Sequence, residues 1–280
     1  MKNTAVTFMK MKQDGQRIVE LTAYDYTTAL LVEKAEINAI LVGDSLGNTM
    51  MGYDSTLPVT MEDMIHHSRC VTRACENTMV IMDMPFMSYQ TSVYDALVNA
   101  GRLMKEGGGA DVKFEGGAAV AAQIKACTDA GIPVQAHLGL TPQSVNAFGG
   151  HKVQGKGEEA AKRLLEDAFV VQDAGAFSVV LECVPPKLAA LISKKLTIPT
   201  IGIGAGAGCD GQVLVIQDML GMTDFKPKFV KHFARVGEEM VKGIQAYRDE
   251  VVAGTFPDDA HSFVKSDCSD EYLEKLDAMY

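Results

Sequence analysis

Short apolar runs alternate with longer stretches of helical spacing along almost the whole chain. Eight runs have the density expected of strands: IVELTAY (18–24), NAILVGD (38–44), MVIMDMP (79–85), ADVKFEG (110–116), IPVQAHLG (132–139), FSVVLEC (177–183), IPTIGIG (198–204) and QVLVIQD (212–218). Helical periodicity fills most of the gaps, as in 92–108 and 157–175. In the second of these Leu164, Leu165, Ala168, Phe169 and Val171 form an apolar stripe. DAGIPV (129–134) and DAGAFSVV (173–180) each read as a helix stopped by a glycine and followed by a strand. Eight β units joined by helices predict an α/β fold, a (β/α)8 TIM barrel with a parallel eight-stranded core. An open doubly wound sheet is the competing arrangement. Residues 1–264 are expected to form a single catalytic domain, with 265–280 an acidic helical tail. Two loops, 46–67 and 138–157, are long enough to suggest a function.

A parallel barrel brings the C-terminal ends of its strands to one face, where active sites sit. Asp44, Asp83, Lys113, Glu115, His137 and Glu182 all fall at or near such ends on this assignment. Each has a plain reading of its own: an aspartate after a strand is usually a turn former or helix cap, and a histidine a satisfied core residue. Their joint arrival at one face carries the argument. Clustered carboxylates repel unless a cation compensates them. Two aspartates and a glutamate make an all-oxygen set suited to Mg²⁺, whereas zinc would bring histidine or cysteine, and His137 is the one candidate. The glycine-rich GIGAGAGCDG (202–211) lacks both the complete dinucleotide fingerprint and a Walker lysine. It reads as a tight loop where backbone and neighbours approach closely.

Composition narrows the field further. The 280 residues are 47% apolar, as expected of a globular chain with a sizeable core. With 26 basic and 36 acidic side chains the net charge is −10, which argues against nucleic acid as a partner. The six cysteines include no C-x-x-C pair, and MKNTAVTFMKMKQDGQR has no apolar leader core, so free thiols and a cytoplasmic location are expected. No apolar run approaches the ~20 residues that span a bilayer, so no membrane is expected as partner. The 16 methionines are dispersed and fit core packing.

Several blocks are longer and more specific than these patterns. TAYDYTTA (22–29), LVGDSLGNTMMGYDSTLPVT (41–60), MDMPFMSY (82–89), VKFEGG (112–117), AHLGLTPQSVNAFGGHKVQGKG (136–157), LECVP (181–185), IPTIGIGAG (198–206) and GQVLVIQDMLGMTDFKPKFVKHF (211–233) resemble the ketopantoate hydroxymethyltransferase family. The resemblance runs to about His261 and leaves the tail outside. It implies a (β/α)8 barrel using Mg²⁺ in pantothenate synthesis, with 5,10-methylenetetrahydrofolate as co-substrate and 3-methyl-2-oxobutanoate as acceptor. It also implies a homo-oligomer, typically a homodecamer. By the same resemblance Asp44, Asp83 and Glu115 match metal ligands. Asp44, Ser45, Asp83, Lys113 and His137 match the keto-acid site, and Glu182 matches the proton acceptor. The segment 204–212 departs slightly from the family pattern, on the side expected to meet folate.

Two other classes stand beside this one: a different Mg²⁺-dependent carbon–carbon lyase acting on a 2-oxo acid without folate, and a barrel with no catalytic activity. Loss of Asp83 or Glu182 would mark the second, and both are present.

Overall fold

The structure is a computed structural model and describes residues 2–280. Eight parallel strands close into a barrel in chain order: β1 (Ile18–Thr22), β2 (Ala39–Val42), β3 (Met79–Asp83), β4 (Asp111–Glu115), β5 (Val134–Gly139), β6 (Ser178–Glu182), β7 (Thr200–Ile203) and β8 (Gly211–Leu214). Pairing of Ile18 with Gly211 and Glu20 with Val213 closes the ring. Strands β2, β3 and β4 are buried at every position, because the barrel interior covers one face and helices the other. The TIM barrel expected from the apolar pattern is therefore the fold, and all eight expected strands are present.

The helices are α1 (Ala5–Gln13), α2 (Tyr26–Lys34), α3 (Leu46–Thr49), α4 (Met61–Thr72), α5 (Val93–Arg102), α6 (Ala121–Asp129), α7 (Val145–Phe148), α8 (Glu158–Asp173), α9 (Pro186–Lys195) and α10 (Ile216–Met219). Local chemistry starts and stops them. Thr60 caps α4 in a reciprocal box with Asp63, and the Asp25 side chain accepts from the Thr28 amide at the start of α2. Past α6 and α8, Gly131 and Gly175 take φ +82° and +97°, as the DAG punctuation predicts.

Two elements differ from the pattern. The run 212–218 divides into β8 and the buried turn α10, which begins where the Ile216 amide donates to Thr22 Oγ1. An apolar run this short satisfies strand and helix periods alike. The segment 92–108 leaves α-helical geometry after Arg102 and continues as a π-helical turn over Leu103–Gly107.

The interior is packed by Ile18, Ala39, Leu41, Met79, Ile81, Val180, Ile201 and Val213. Each fully buried aliphatic side chain of this kind stabilises by ~1.5–3 kcal/mol relative to exposure. Phe8 of α1 meets Phe177, the residue before β6, edge to face with centroids 6.1 Å apart. That pair closes the N-terminal end of the barrel and leaves the opposite end for chemistry. The glycine-rich segment after β7 is a close-approach loop, as read from its sequence. A Cβ would lie 2.7 Å from Pro186 Cβ at Gly206, 2.6 Å from Ala190 Cβ at Gly208 and 2.5 Å from Ile18 O at Gly211.

The chain divides into two compact units. Residues 2–219 with 224–231 form the barrel, and residues 220–223 with 232–280 form the other unit. The second holds α11 (Val236–Ala253) and α12 (Asp270–Asp277), the latter capped by the Ser269 hydroxyl on the Tyr272 amide. The segment expected to be a helical tail contains α12, and the expected boundary at 264/265 lies inside this second unit. All six cysteines are free thiols. Among the described residues no helix is long and apolar enough to cross a membrane.

Candidate active site

Strand ends deliver the polar residues picked out in the sequence. β3 ends on Asp83, β4 on Glu115 and β6 on Glu182, while Asp44 lies two residues beyond β2. Alternation along β4 turns Asp111, Lys113 and Glu115 to one face. Register then sets Asp83 beside Lys113, Glu115 beside His137, and Gly139 beside Glu182. Asp44, Asp83, Lys113, Glu115 and His137 are buried, and Glu182 is half-buried with 15% of its side chain exposed.

These groups form one connected set. Lys113 Nζ lies 2.6 Å from Asp83 Oδ1, and Asp83 Oδ2 accepts from the Asp44 amide at 3.0 Å. His137 stands between two acids, its Nδ1 3.5 Å from Glu115 Oε1 and its Nε2 3.4 Å from Glu182 Oε2. Ser45 Oγ is 2.7 Å from the buried Tyr24 hydroxyl. A Cβ on Gly43 would meet both Ser45 Oγ at 2.9 Å and Asp83 Oδ2 at 3.4 Å, so the serine borders the acid cluster. The Glu182 backbone is pinned from both neighbouring strands. Its carbonyl accepts from the Leu140 amide at 2.8 Å, and the following Cys183 amide donates to Ile203 O at 2.9 Å. Gly139, at φ +93°, makes this possible: a Cβ there would lie 2.2 Å from Glu182 O.

Burial and mutual repulsion set the charge states. Burial, then Glu115 and Asp83, push Asp44 well above the usual carboxylate range. Burial also raises Asp83, with Lys113 opposing. Burial works against Glu115 as well, but His137 and Lys113 outweigh it and hold that carboxyl low. His137 is pressed down by burial and by Lys113, yet its contacts with Glu115 and Glu182 prevail and raise it to about 9. Lys113 keeps its proton despite burial, because Asp83, Glu115 and Asp44 surround it.

One layer deeper, on the same inward faces, lies a second polar group. Gln135 Nε2 donates to Glu20 Oε2 at 3.1 Å and to Ser178 Oγ at 3.0 Å. Burial raises Glu20 to about 7, and burial together with Glu20 raises Asp111 to about 7.

The family model of ketopantoate hydroxymethyltransferase matches residues 2–259. The chain belongs to the ketopantoate hydroxymethyltransferase family. It is similar to the 3-methyl-2-oxobutanoate hydroxymethyltransferase of Clostridium novyi, 65% identical over 264 residues that cover 94% of this chain and 96% of the relative. It is also similar to that of Enterococcus faecalis, 63% identical over 277 residues, covering 99% of this chain and all of the relative. That second likeness spans the C-terminal tail, which the sequence resemblance left outside. Among solved structures, phosphonopyruvate hydrolase crystallised with oxalate and Mg²⁺ superposes with a TM-score of 0.61 at 11% identity, covering 99% of this chain and 95% of that one. 2,3-Dimethylmalate lyase superposes at 0.58 and 16% identity, covering 100% of this chain and 94% of that one. These two share the fold. The ketopantoate hydroxymethyltransferase family consists of enzymes that transfer a one-carbon unit, and this chain is a hydroxymethyltransferase of that family.

In this hydroxymethyltransferase-family barrel the charges leave an imbalance. Four carboxylates (Asp44, Asp83, Glu115, Glu182) face two cations (Lys113, His137), a net charge of −2 when all are ionised. A divalent cation has the charge that relieves it, and the upward displacement of Asp44 and Asp83 is the strain that it would remove. The donor chemistry fits Mg²⁺. The side chains as they stand do not enclose an ion: among the described residues no three His, Cys, Asp or Glu side chains group as a metal cage. Protein partners hold their oxygens instead, chiefly Gln143. Sequence reasoning missed this residue, and also Tyr24 and Tyr89. The length of the 138–157 loop and the family block over 136–157 were the signals pointing toward Gln143.

Proposed function

We propose that the chain transfers a hydroxymethyl unit from 5,10-methylenetetrahydrofolate to 3-methyl-2-oxobutanoate, giving 2-dehydropantoate and tetrahydrofolate. The convergence of Asp44, Asp83, Lys113, Glu115, His137 and Glu182 at one end of the barrel carries this reading, in a chain 65% identical to a relative named for that activity. Asp44, Asp83 and Glu115 would hold Mg²⁺, which supplies Lewis acidity toward the oxygens of a 2-oxo acid when bound. Lys113 offers a fixed ammonium against the substrate carboxylate and the negative charge that develops as C3 is deprotonated. The Ser45 hydroxyl, oriented by Tyr24, donates to the same carboxylate. Asp83, Asp44 and His137 complete the wall of the keto-acid site.

Glu182 accepts the C3 proton. Its carboxylate is the least buried of the cluster, with 15% of its side chain exposed, and His137 Nε2 lies 3.4 Å from its Oε2. The electron pair left on C3 forms the new bond to the methylene carbon, whose two C–N bonds to folate break; one water supplies the hydroxyl oxygen, and its two hydrogens with the C3 proton provide the product hydroxyl and the two N–H groups of tetrahydrofolate. The family's action in pantothenate synthesis, the homo-oligomeric state and a cytoplasmic location belong to the same proposal.

Deuterium uptake at C3 of 3-methyl-2-oxobutanoate, followed by NMR with Mg²⁺ and without folate, tests the role of Glu182. Glu182→Gln should slow exchange ~10²–10⁴-fold, because an amide cannot take the proton, while keto-acid binding persists. Exchange at the wild-type rate would assign the base to another group. Product formation that needs no folate would favour a lyase instead.

A further inference from the structure

Gln143 touches two acids of the candidate active site, Asp44 and Glu115, yet it bears no charge and lies on a loop. It is buried on the 3₁₀ turn Pro142–Ser144 after β5. Its Nε2 donates to Asp44 Oδ2 at 2.9 Å and to the Met84 carbonyl at 2.9 Å. Its Oε1 accepts from the Tyr89 hydroxyl at 2.8 Å and from Gln90 Nε2 at 3.0 Å. A carboxamide has two donors and two lone pairs, so all four sites are used and its orientation has no alternative: a flipped amide would set its one oxygen against the acceptor oxygens of Asp44 and Met84. The Gln143 backbone amide meanwhile donates to Glu115 Oε2 at 2.9 Å. Tyr89 extends the clamp, since its hydroxyl also accepts from the Glu115 amide at 3.1 Å.

One residue thus grips two of the three acids by a single oxygen each, Asp44 from its side chain and Glu115 from its backbone. Each acid keeps its other oxygen away from Gln143. Charge-assisted hydrogen bonds of this kind fix the rotamer of a carboxylate and choose which lone pairs remain for an ion. We infer that Gln143 is a positioning residue for the divalent-cation site, orienting Asp44 so that its other oxygen is presented to the ion and, through the loop, fixing Glu115, whose other oxygen also faces His137 Nδ1 at 3.5 Å. The inference rests on the reading of Asp44, Asp83 and Glu115 as the cation's ligands. It gives the 138–157 loop a role in building the site itself, in addition to any covering of it.

The test is calorimetric titration of the full-length protein with MgCl₂ alone, without substrate or folate, for wild type, Gln143→Leu and Gln143→Asn. The leucine removes all four side-chain hydrogen bonds at similar volume. The asparagine keeps a polar amide in the pocket but is one methylene too short to span Asp44 and Met84. Both should weaken Mg²⁺ binding ~10–100-fold, the range for loss of an outer partner of a metal ligand. In rate assays the half-saturating Mg²⁺ concentration should rise by the same factor, with the rate largely restored at saturating Mg²⁺. Thermal melting in EDTA reports on folding separately. A variant that melts lower yet binds Mg²⁺ with wild-type affinity would show a purely structural role and overturn the inference. Failure of the wild type itself to bind Mg²⁺ would instead remove the ligand reading on which it rests.

Discussion

Replacing Glu20 by glutamine should stabilise the protein at high pH and do little at low pH. The carboxyl is 2% exposed in the barrel interior, where its one hydrogen-bond donor is Gln135. Burial, the largest influence, lifts it from an ordinary 4.5 to about 7, against the pull of Gln135 and Lys113. Below pH 4.5 the folded and unfolded chains both carry the proton and the group is neutral to stability. As pH rises toward 7 the unfolded chain releases a proton that the folded chain keeps, so the unfolded state gains. Above 7 the full penalty is present. A displacement of about 2.5 units at 1.36 kcal/mol each amounts to ~3 kcal/mol by pH 8.5, and to ~1 kcal/mol at pH 5. Glutamine carries no such charge, and its carbonyl can still accept from Gln135 Nε2. Urea unfolding of wild type and Glu20→Gln at pH 5 and pH 8.5, in EDTA and followed by circular dichroism, would measure the difference. The variant's advantage should grow by ~2 kcal/mol between the two. An advantage independent of pH, or a variant less stable than wild type at pH 8.5, would show that Glu20 is stabilised by contacts that outweigh its burial.

Gly139→Ala should be costly twice over, since its backbone sits at φ +93° and a Cβ would lie 2.2 Å from Glu182 O. A loss of at least ~2 kcal/mol on denaturant unfolding and slower C3 exchange are expected, and wild-type exchange would show that the Glu182 carbonyl contact does not place the base. Lys113→Ala removes the ammonium 2.6 Å from Asp83 and should weaken keto-acid binding at least tenfold in an equilibrium titration. Unchanged affinity would take Lys113 out of the keto-acid site.

Much of this protein is local enough to be written in its order of residues. The eight strands, the DAG helix stops at Gly131 and Gly175, and the arrival of Asp83, Glu115 and Glu182 at strand ends all follow from periodicity and turn chemistry over a few neighbours. Once the barrel is granted, its parallel closure brings those ends together. The family blocks added the roles of Asp44, Ser45, Lys113 and His137, which no spacing rule assigns. What the tertiary structure alone decided depends on contacts between residues far apart in the chain. Glu115 and Glu182 flank His137 and raise its pKa against burial and Lys113. Glu20 holds its proton near neutrality because it is buried beneath the site, 115 positions from its partner Gln135. Gln143, 99 positions from Asp44, clamps that acid because a loop after β5 folds inward over the ends of β2 and β4. A polar side chain in a loop looks the same in sequence whether it faces water or fills a buried clamp. Desolvation and distance separate the two cases, and both exist only after the chain has folded.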